Sequence, residues 1–296
     1  MSRLTQDGKT YIIAEIGINH NGDMAIAERL IRAADFAGVD AVKFQKRTPR
    51  ISTPRPEWDR LRDTPWGTMT YLEYRERIEL DVEVYKRLVG LAHGLNLDLI
   101  VSVWDLIALE EMQMGGDTYF RPTALKIPSA MLTNYKLVEE TAAVEGPIIL
   151  STGMSTTSEI DQAVSAIASI SSIYKMDREM TLMHCTSTYP CKPEELNLNA
   201  IPVLASKYPR FTIGYSGHEV GLAATVAAVA LGAKVVERHI TLDRSMWGTD
   251  QAASVEPVGF AKLVKDIRLV EQAMGDGVKR VYASEREALR KLRGVG

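Results

Sequence analysis

The chain has 296 residues, 46% hydrophobic and 25% charged, with 35 basic against 38 acidic side chains and a formal net charge of −3. That describes a globular protein of one large or two small domains, with no electrostatic footprint for nucleic acid or a membrane surface and no apolar run near the ~20 residues of a spanning helix. The polar opening MSRLTQDGKT does not read as a signal peptide, and two cysteines, Cys185 and Cys191, make no disulfide framework, so a cytoplasmic setting is expected.

Strand and helix patterns alternate along the chain. The strands are expected at Tyr11–Ile16, Ala41–Lys46, Leu97–Val103, Ala124–Ile127, Pro147–Ser151, Met180–Ser187, Phe211–Tyr215 and Lys234–Ile240. Helical periodicity fills the intervals at Met24–Ala37, Val82–Leu95, Ile107–Met114, Tyr135–Val144, Ser158–Ile170, Ala200–Lys207, Val220–Leu231 and Gly259–Met274. Ser155-Thr156-Thr157-Ser158-Glu159 offers N-cap hydroxyls with a carboxylate nearby, and Gly38, Gly94 and Gly232 stand where helices should stop. Eight strand–helix units predict an α/β protein, a (β/α)8 TIM barrel, with its active site at the carboxyl ends of the strands. Residues 1–275 read as that one domain. Within it, residues 47–80 form a long insertion with four prolines and no evident structure, which suits a lid or binding loop. Residues 276–296 read as a short charged tail.

The stretch 211–243 organises the chemistry. It reads strand, turn, helix, strand, and places His218 and His239 at the carboxyl ends of successive parallel strands. Side chains alternate across a strand, so Ser216 shares a face with His218, and Glu237 with His239. Applied to the other strands, the same parity points Glu15, Lys43, Gln45, Lys126, Ser151, Ser187 and Tyr189 inward, with Ser129 just beyond Lys126. One buried lysine could pair with one glutamate for structure alone, and one inward histidine is ordinarily a packed residue. So many ionisable groups at one barrel end are not explained that way, because burying unpaired charge costs several kcal/mol per ion. Lysines with hydroxyls suit a phosphate-bearing anion. Two neutral imidazoles suit a divalent metal with positions left open, and Glu15, Glu237 and Asp250 could move protons or hold hydroxyls. His20 reads equally as a turn residue or a supporting group. His93 reads as surface, His184 as packing, and Met112 and Met114 as helical core.

Six motifs in order, AEIGINHNG (14–22), AVKFQ (41–45), LSTGM (150–154), HCTSTYP (184–190), GYSGH (214–218) and ALGAKVVERHI (230–240), resemble the sialic acid (N-acetylneuraminate) synthase family over residues 11–275. The resemblance implies a TIM barrel that condenses phosphoenolpyruvate with an N-acylated hexose such as N-acetylmannosamine, releasing phosphate. It implies His218 and His239 as ligands of a divalent metal, usually manganese. Lys43, Lys126, Ser129, Ser151 and Ser216 would hold phosphoenolpyruvate. Gln45, Tyr189, Glu237 and Asp250 would contact the sugar, with Glu15 handling water or a proton, so that Glu15 and Glu237 are the catalytic carboxylates. A homodimer is implied as well.

The chain departs from the family pattern at Ser102-Val103-Trp104, where many members have Ser-Thr-Pro, and at Ser187, which is asparagine in some. The family's C-terminal antifreeze-like domain, which supplies an arginine to the sugar's acyl group, is expected to be missing, and the Trp66-Gly67 loop is expected to stand in as cover. Two competing expectations remain. One is a 3-deoxy-ulosonate synthase using a shorter or phosphorylated aldose, with Arg47, Arg50 and Arg55 as the extra cations. The other is an inactive sugar-binding barrel.

Overall fold

A computed structural model describes residues 4, 8–113, 121–173 and 179–294. Strand β1 (Tyr11–Gly17) leads into α1 (Met24–Ala37) and then β2 (Ala41–Lys46). An excursion follows: α2 (Pro49–Ser52), a 3-10 turn at Arg55–Glu57, a hairpin of β3 (Leu61–Thr64) and β4 (Gly67–Thr70), and α3 (Tyr71–Ile78). The alternation then resumes with α4 (Val82–Gly94), β5 (Asp98–Val103), α5 (Leu106–Gln113), β6 (Ala124–Ile127), α6 (Tyr135–Ala143), β7 (Ile148–Ser151) and α7 (Thr157–Ile173). It ends with β8 (Met180–Cys185), α8 (Ala200–Lys207), β9 (Thr212–Gly217), α9 (Ala223–Ala230), β10 (Val235–His239), α10 (Pro257–Met274) and α11 (Arg286–Arg293). The closed sheet runs β1-β10-β9-β8-β7-β6-β5-β2, every pairing parallel. This is the (β/α)8 barrel that the alternation predicts.

The period-two alternation builds two cores. Outward residues such as Ile12, Ala14, Ile16, Val42 and Phe44 meet the helices in one continuous apolar layer. Inward residues Tyr11, Ile13, Ala41, Ile100, Ala124, Ile149, Met183 and Val235, together with Leu4, plug the amino-terminal end of the barrel. At this level β9 has Gly214. A Cβ there would lie 2.3 Å from Met183 Sδ and 2.6 Å from the Val235 carbonyl oxygen, so the methionine takes the space. The plug closes the floor, and whatever stands two residues further along each strand faces a space open only at the carboxyl ends.

Several boundaries differ from expectation for identifiable reasons. Strand β8 stops at Cys185, short of Ser187, while β9 continues to Gly217. Helix α9 begins at Ala223, three residues late, because residues 219–221 are tied to Arg238. Gly38 does end α1 in the left-handed region, and Gly232 follows α9 at φ 106, but the left-handed residue beyond α4 is Asn96, two residues after Gly94. The Thr156–Glu159 pair caps α7 reciprocally. Met112 is buried in the helical layer as expected, and Met114 lies outside the described residues. The expectation of a structureless insertion at 47–80 is overturned: it holds a hairpin and a helix with its own capping box at Thr70 and Glu73. Residues 275–294 are exposed apart from half-buried Leu289.

Candidate active site

Two residues beyond the apolar plug, the inward positions of the eight strands are Glu15, Lys43, Ser102, Lys126, Ser151, Cys185, Ser216 and Glu237, and all of them line one cavity. Gln45, Ser129, Ser187, Tyr189, His218 and His239 form its next tier, with Trp104, Pro128, Ala130 and Met154. The cavity holds about 620 Å³ of space between atoms, part of it open to solvent. The change from plug to chemistry thus takes one inward step on every strand: Ile13 to Glu15, Ala41 to Lys43, Val235 to Glu237.

Four buried charges balance at its base. Lys43 Nζ lies 2.8 Å from Glu15 Oε2 and 3.5 Å from Glu237 Oε1, and donates to the Ser102 hydroxyl at 3.0 Å. Lys126 Nζ donates to both Glu237 oxygens at 2.8 Å, and Ser216 donates to Oε1 at 3.2 Å. Burial works to raise Glu237, yet the two lysines outweigh it and hold the carboxyl down to about 2. Glu237 is therefore a fixed anion at neutral pH, suited to holding charge and hydroxyls and unsuited to carrying a proton. Burial pulls the other way on the lysines. For Lys43 the two glutamates overcome it and raise the ammonium, while for Lys126 burial wins, with Lys43 adding repulsion.

Beside the quartet lies a hydroxyl-rich wall. Ser151 Oγ is buried with no partner, a donor free for an incoming oxyanion. Ser129 Oγ accepts from the Gly153 amide at 3.1 Å and lies 3.4 Å from Cys185 Sγ. Only glycine fits at 153: a Cβ would meet Ser187 Oγ at 2.3 Å and both Cys185 Sγ and Ser129 Oγ at 2.8 Å.

The two imidazoles stand over this floor with ring centroids 5.5 Å apart, and Tyr189 packs 4.0 Å from His218 and edge-on at 5.7 Å from His239. His218 Nδ1 bonds the Thr186 carbonyl at 2.8 Å, which assigns the proton to Nδ1 and leaves Nε2 with its lone pair. Burial, followed by the neighbouring His239, holds His218 down at about 3, hence neutral. His239 Nδ1 is buried without a hydrogen-bond partner. Two imidazoles, one oriented by a carbonyl and one with an orphaned nitrogen, fit a divalent cation that keeps most of its coordination positions for water and substrate. Among the described residues no group of three or more His, Cys, Asp or Glu side chains is gathered to hold a metal.

Other expectations resolve individually. Asp250 does not line the cavity; its Oδ2 stands 3.8 Å from His239 Nδ1, and it is held by the Thr249 hydroxyl. His20 is a buried turn residue whose Nδ1 accepts from the Gly22 amide at 3.0 Å, with Phe44 beside it. His93 is exposed, and His184 packs on Tyr215 and bonds the Leu196 carbonyl. The insertion does not stand in as cover, since no residue between 47 and 80 lines the cavity. It buttresses the loop that carries Asp250: Trp66 and Tyr74 both pack edge-on against Trp247, at 5.8 and 5.3 Å.

Sequence reasoning missed two features. Cys185 lies on the cavity wall, and strand parity with Ser187 and Tyr189 already put it there. The second is on the outer face of the sheet. Arg238, beside His239, donates to the carboxylate of Glu219, beside His218, at 2.9 Å and to its carbonyl at 2.6 Å. Tyr215 and Thr225 complete the carboxylate's bonds. Each histidine thus has a neighbour in one buried strut, whose carboxylate is fully bonded while Arg238 Nε has no partner.

Known proteins share this arrangement at the level of sequence and fold. The NeuB family model matches residues 30–279. An N-acetylneuraminate-9-phosphate synthase of Mus musculus is 38% identical over 285 residues, 95% of this chain and 76% of that protein. An N,N'-diacetyllegionaminic acid synthase of Campylobacter jejuni is 37% identical over 287 residues, 96% of this chain and 83% of that one. The crystal structure of an N-acetylneuraminic acid synthetase from Leptospira borgpetersenii, in complex with citrate, superposes with a TM-score of 0.81 at 31% identity, covering 97% of this chain and 92% of its own.

Proposed function

The chain belongs to the NeuB family and is a sialic-acid-synthase-type transferase, and on that premise we propose that it condenses phosphoenolpyruvate with an open-chain aldose of the N-acetylmannosamine class, with a divalent metal, to a 2-keto-3-deoxy sugar acid and phosphate. The observation that carries the reading is the pairing, in one cavity, of two buried lysines and the free Ser151 hydroxyl with two histidines.

Lys43 and Lys126 neutralise the carboxylate and phosphate of phosphoenolpyruvate, with Ser129, Ser151 and Ser216 donating to their oxygens. His218 and His239 hold the cation, probe-able as manganese, whose chemistry in this site is Lewis acidity toward the sugar carbonyl. Gln45 and Tyr189 align the sugar above the quartet, and Asp250 anchors a hydroxyl from the loop beside His239. Carbon C3 of phosphoenolpyruvate bonds to the aldehyde carbon, and the aldehyde oxygen takes up a proton. Water adds at C2, with Glu15 accepting its proton through a carboxylate already held by Lys43 and Gln45. The tetrahedral intermediate then loses phosphate by C–O cleavage, leaving the ketone. Among the described residues no helix is long and apolar enough to cross a membrane, and a cytoplasmic homodimer completes the proposal.

A coupled phosphate-release assay with phosphoenolpyruvate, manganese and a panel of aldoses tests the reaction. Turnover with N-acetylated hexoses supports it. Turnover confined to pentose or tetrose phosphates would move the chain to the shorter-sugar reading, and silence with every aldose would leave a binding barrel.

A further inference from the structure

Met154 ends the LSTGM stretch that follows β7, and two facts weigh against a side chain there. Its φ of 57° lies in the left-handed region, where glycine is the default, and its side chain is 69% exposed. It belongs to neither apolar core, so no burial offsets the strain. The turn is nonetheless fixed. Ser155 Oγ donates to the Gly153 carbonyl at 3.2 Å, and the Gly153 amide donates to Ser129 Oγ at 3.1 Å. Glycine is required at 153, where no Cβ fits, so position 154 takes the left-handed conformation with a side chain attached. That side chain lines the cavity. Trp104 follows β5, Pro128 and Ala130 follow β6, and Met154 follows β7, so these four lining residues make one continuous apolar arc of the rim. In the closed ring β5 and β6 stand opposite β9 and β10, so the arc faces His218 and His239 across the mouth. Deeper on the same side are Ser129 and Ser151, the latter with its buried, unpartnered hydroxyl.

A strained, exposed apolar side chain beside oxyanion donors gains a use once those donors are occupied. The thioether stem is unbranched and turns about three bonds, so it can be laid over a ligand of irregular outline. Excluding water there strengthens the attraction between the lysines and an oxyanion, because the local dielectric falls. Resting on the condensation proposed above, we infer that Met154 is a further substrate-contact residue, whose side chain folds over phosphoenolpyruvate on the serine wall and shields it from solvent. The acceptor meets the opposite arc, where the histidines stand, and does not need this cover.

Peroxide footprinting tests the contact without turnover. Hydrogen peroxide transfers one oxygen atom to a thioether sulfur and leaves as water, at a rate that follows exposure. The sulfoxide of Met154, read by peptide mass spectrometry after treatment of the intact protein, should form at least about 5-fold more slowly with phosphoenolpyruvate at a concentration that calorimetric titration shows to be saturating, no metal being added. Met274, 55% exposed at the end of α10, should oxidise at an unchanged rate. Met154→Gly should melt within about 3 °C of wild type or above it, because relief of the left-handed strain offsets the freedom gained by the unfolded chain. It should nevertheless bind phosphoenolpyruvate about 10-fold more weakly, and Met154→Leu, which keeps an apolar stem, should recover most of that loss. A melt lowered by more than this with an unchanged Kd would make Met154 structural and overturn the inference. So would oxidation that phosphoenolpyruvate binds without slowing, and protection by N-acetylmannosamine in its place would assign the side chain to the acceptor and overturn it too. Failure of phosphoenolpyruvate to bind the folded wild type at all removes the condensation reading and this inference together.

Discussion

Glu237 accepts from both lysines and from Ser216, and this saturation decides what its removal would do. Glu237→Gln leaves Lys43 with Glu15 alone and Lys126 with no carboxylate, and breaking a buried pair costs about 3–5 kcal/mol. A melting temperature lower by roughly 6–15 °C is expected, together with loss of at least about 100-fold in phosphate release; an unchanged melt would mean the quartet is solvated. His20 supplies a pH prediction away from the cavity floor. Burial, its largest influence, lowers the ring from 6.5 to about 4, the Gly17 backbone pulling weakly the other way. The unfolded chain therefore binds the proton first as pH falls. The stability contributed by neutral His20 is complete above about pH 6.5 and is progressively lost toward pH 4, approaching roughly 3 kcal/mol. Urea unfolding of wild type and His20→Gln at pH 7, 5.5 and 4.5 checks this: the gap between them should narrow on acidification.

Among the elements, the two that carry histidines are linked on the side away from the cavity. The strut of Arg238 and Glu219 crosses from β10 to the loop after β9 and is buried, with both carboxylate oxygens of Glu219 bonded. Arg238→Met should cost about 3–5 kcal/mol by stranding Glu219, and Arg238→Met with Glu219→Gln should regain much of that in calorimetry. If the strut positions His218, the double variant should still bind manganese at least about 10-fold more weakly than wild type; full metal affinity would confine the strut to stability. The sequence shows such links only as neighbours. Strand parity made the barrel and Glu15, Lys43, Lys126, Ser151, Ser216 and Glu237 legible, because period-two alternation is local and eight strands repeat it. The hairpin at 61–70 was illegible for the complementary reason. LRDT alternates only between exposed and half-buried, GTMT does not alternate at all, and Trp247, which the insertion packs against, is some 180 residues away along the chain. Helix α3 did carry a local mark, the Thr70–Glu73 capping box.

For the whole molecule the decisive quantity is charge. The net of −3 spread over the surface gives no long-range attraction for phosphoenolpyruvate, which carries close to three negative charges, so the recognition energy has to come from the cavity. There Glu15 and Glu237 already cancel Lys43 and Lys126. A trianion placed on a neutral quartet leaves an excess that the serine hydroxyls offset only in part. His218, held neutral by burial, adds no charge of its own, so a divalent cation on the two imidazoles is the natural complement. If so, the two ligands must favour each other reciprocally, by the same factor in either direction. The Kd of phosphoenolpyruvate should tighten about 10-fold or more at saturating manganese, and that of manganese should tighten equally with phosphoenolpyruvate bound, both read by calorimetric titration without a sugar present. His218→Ala should abolish the coupling while leaving the metal-free affinity for phosphoenolpyruvate near its original value. Independent binding of the two ligands in the wild type would show that the lysine–serine floor suffices for the anion, and that the histidines act on the acceptor alone.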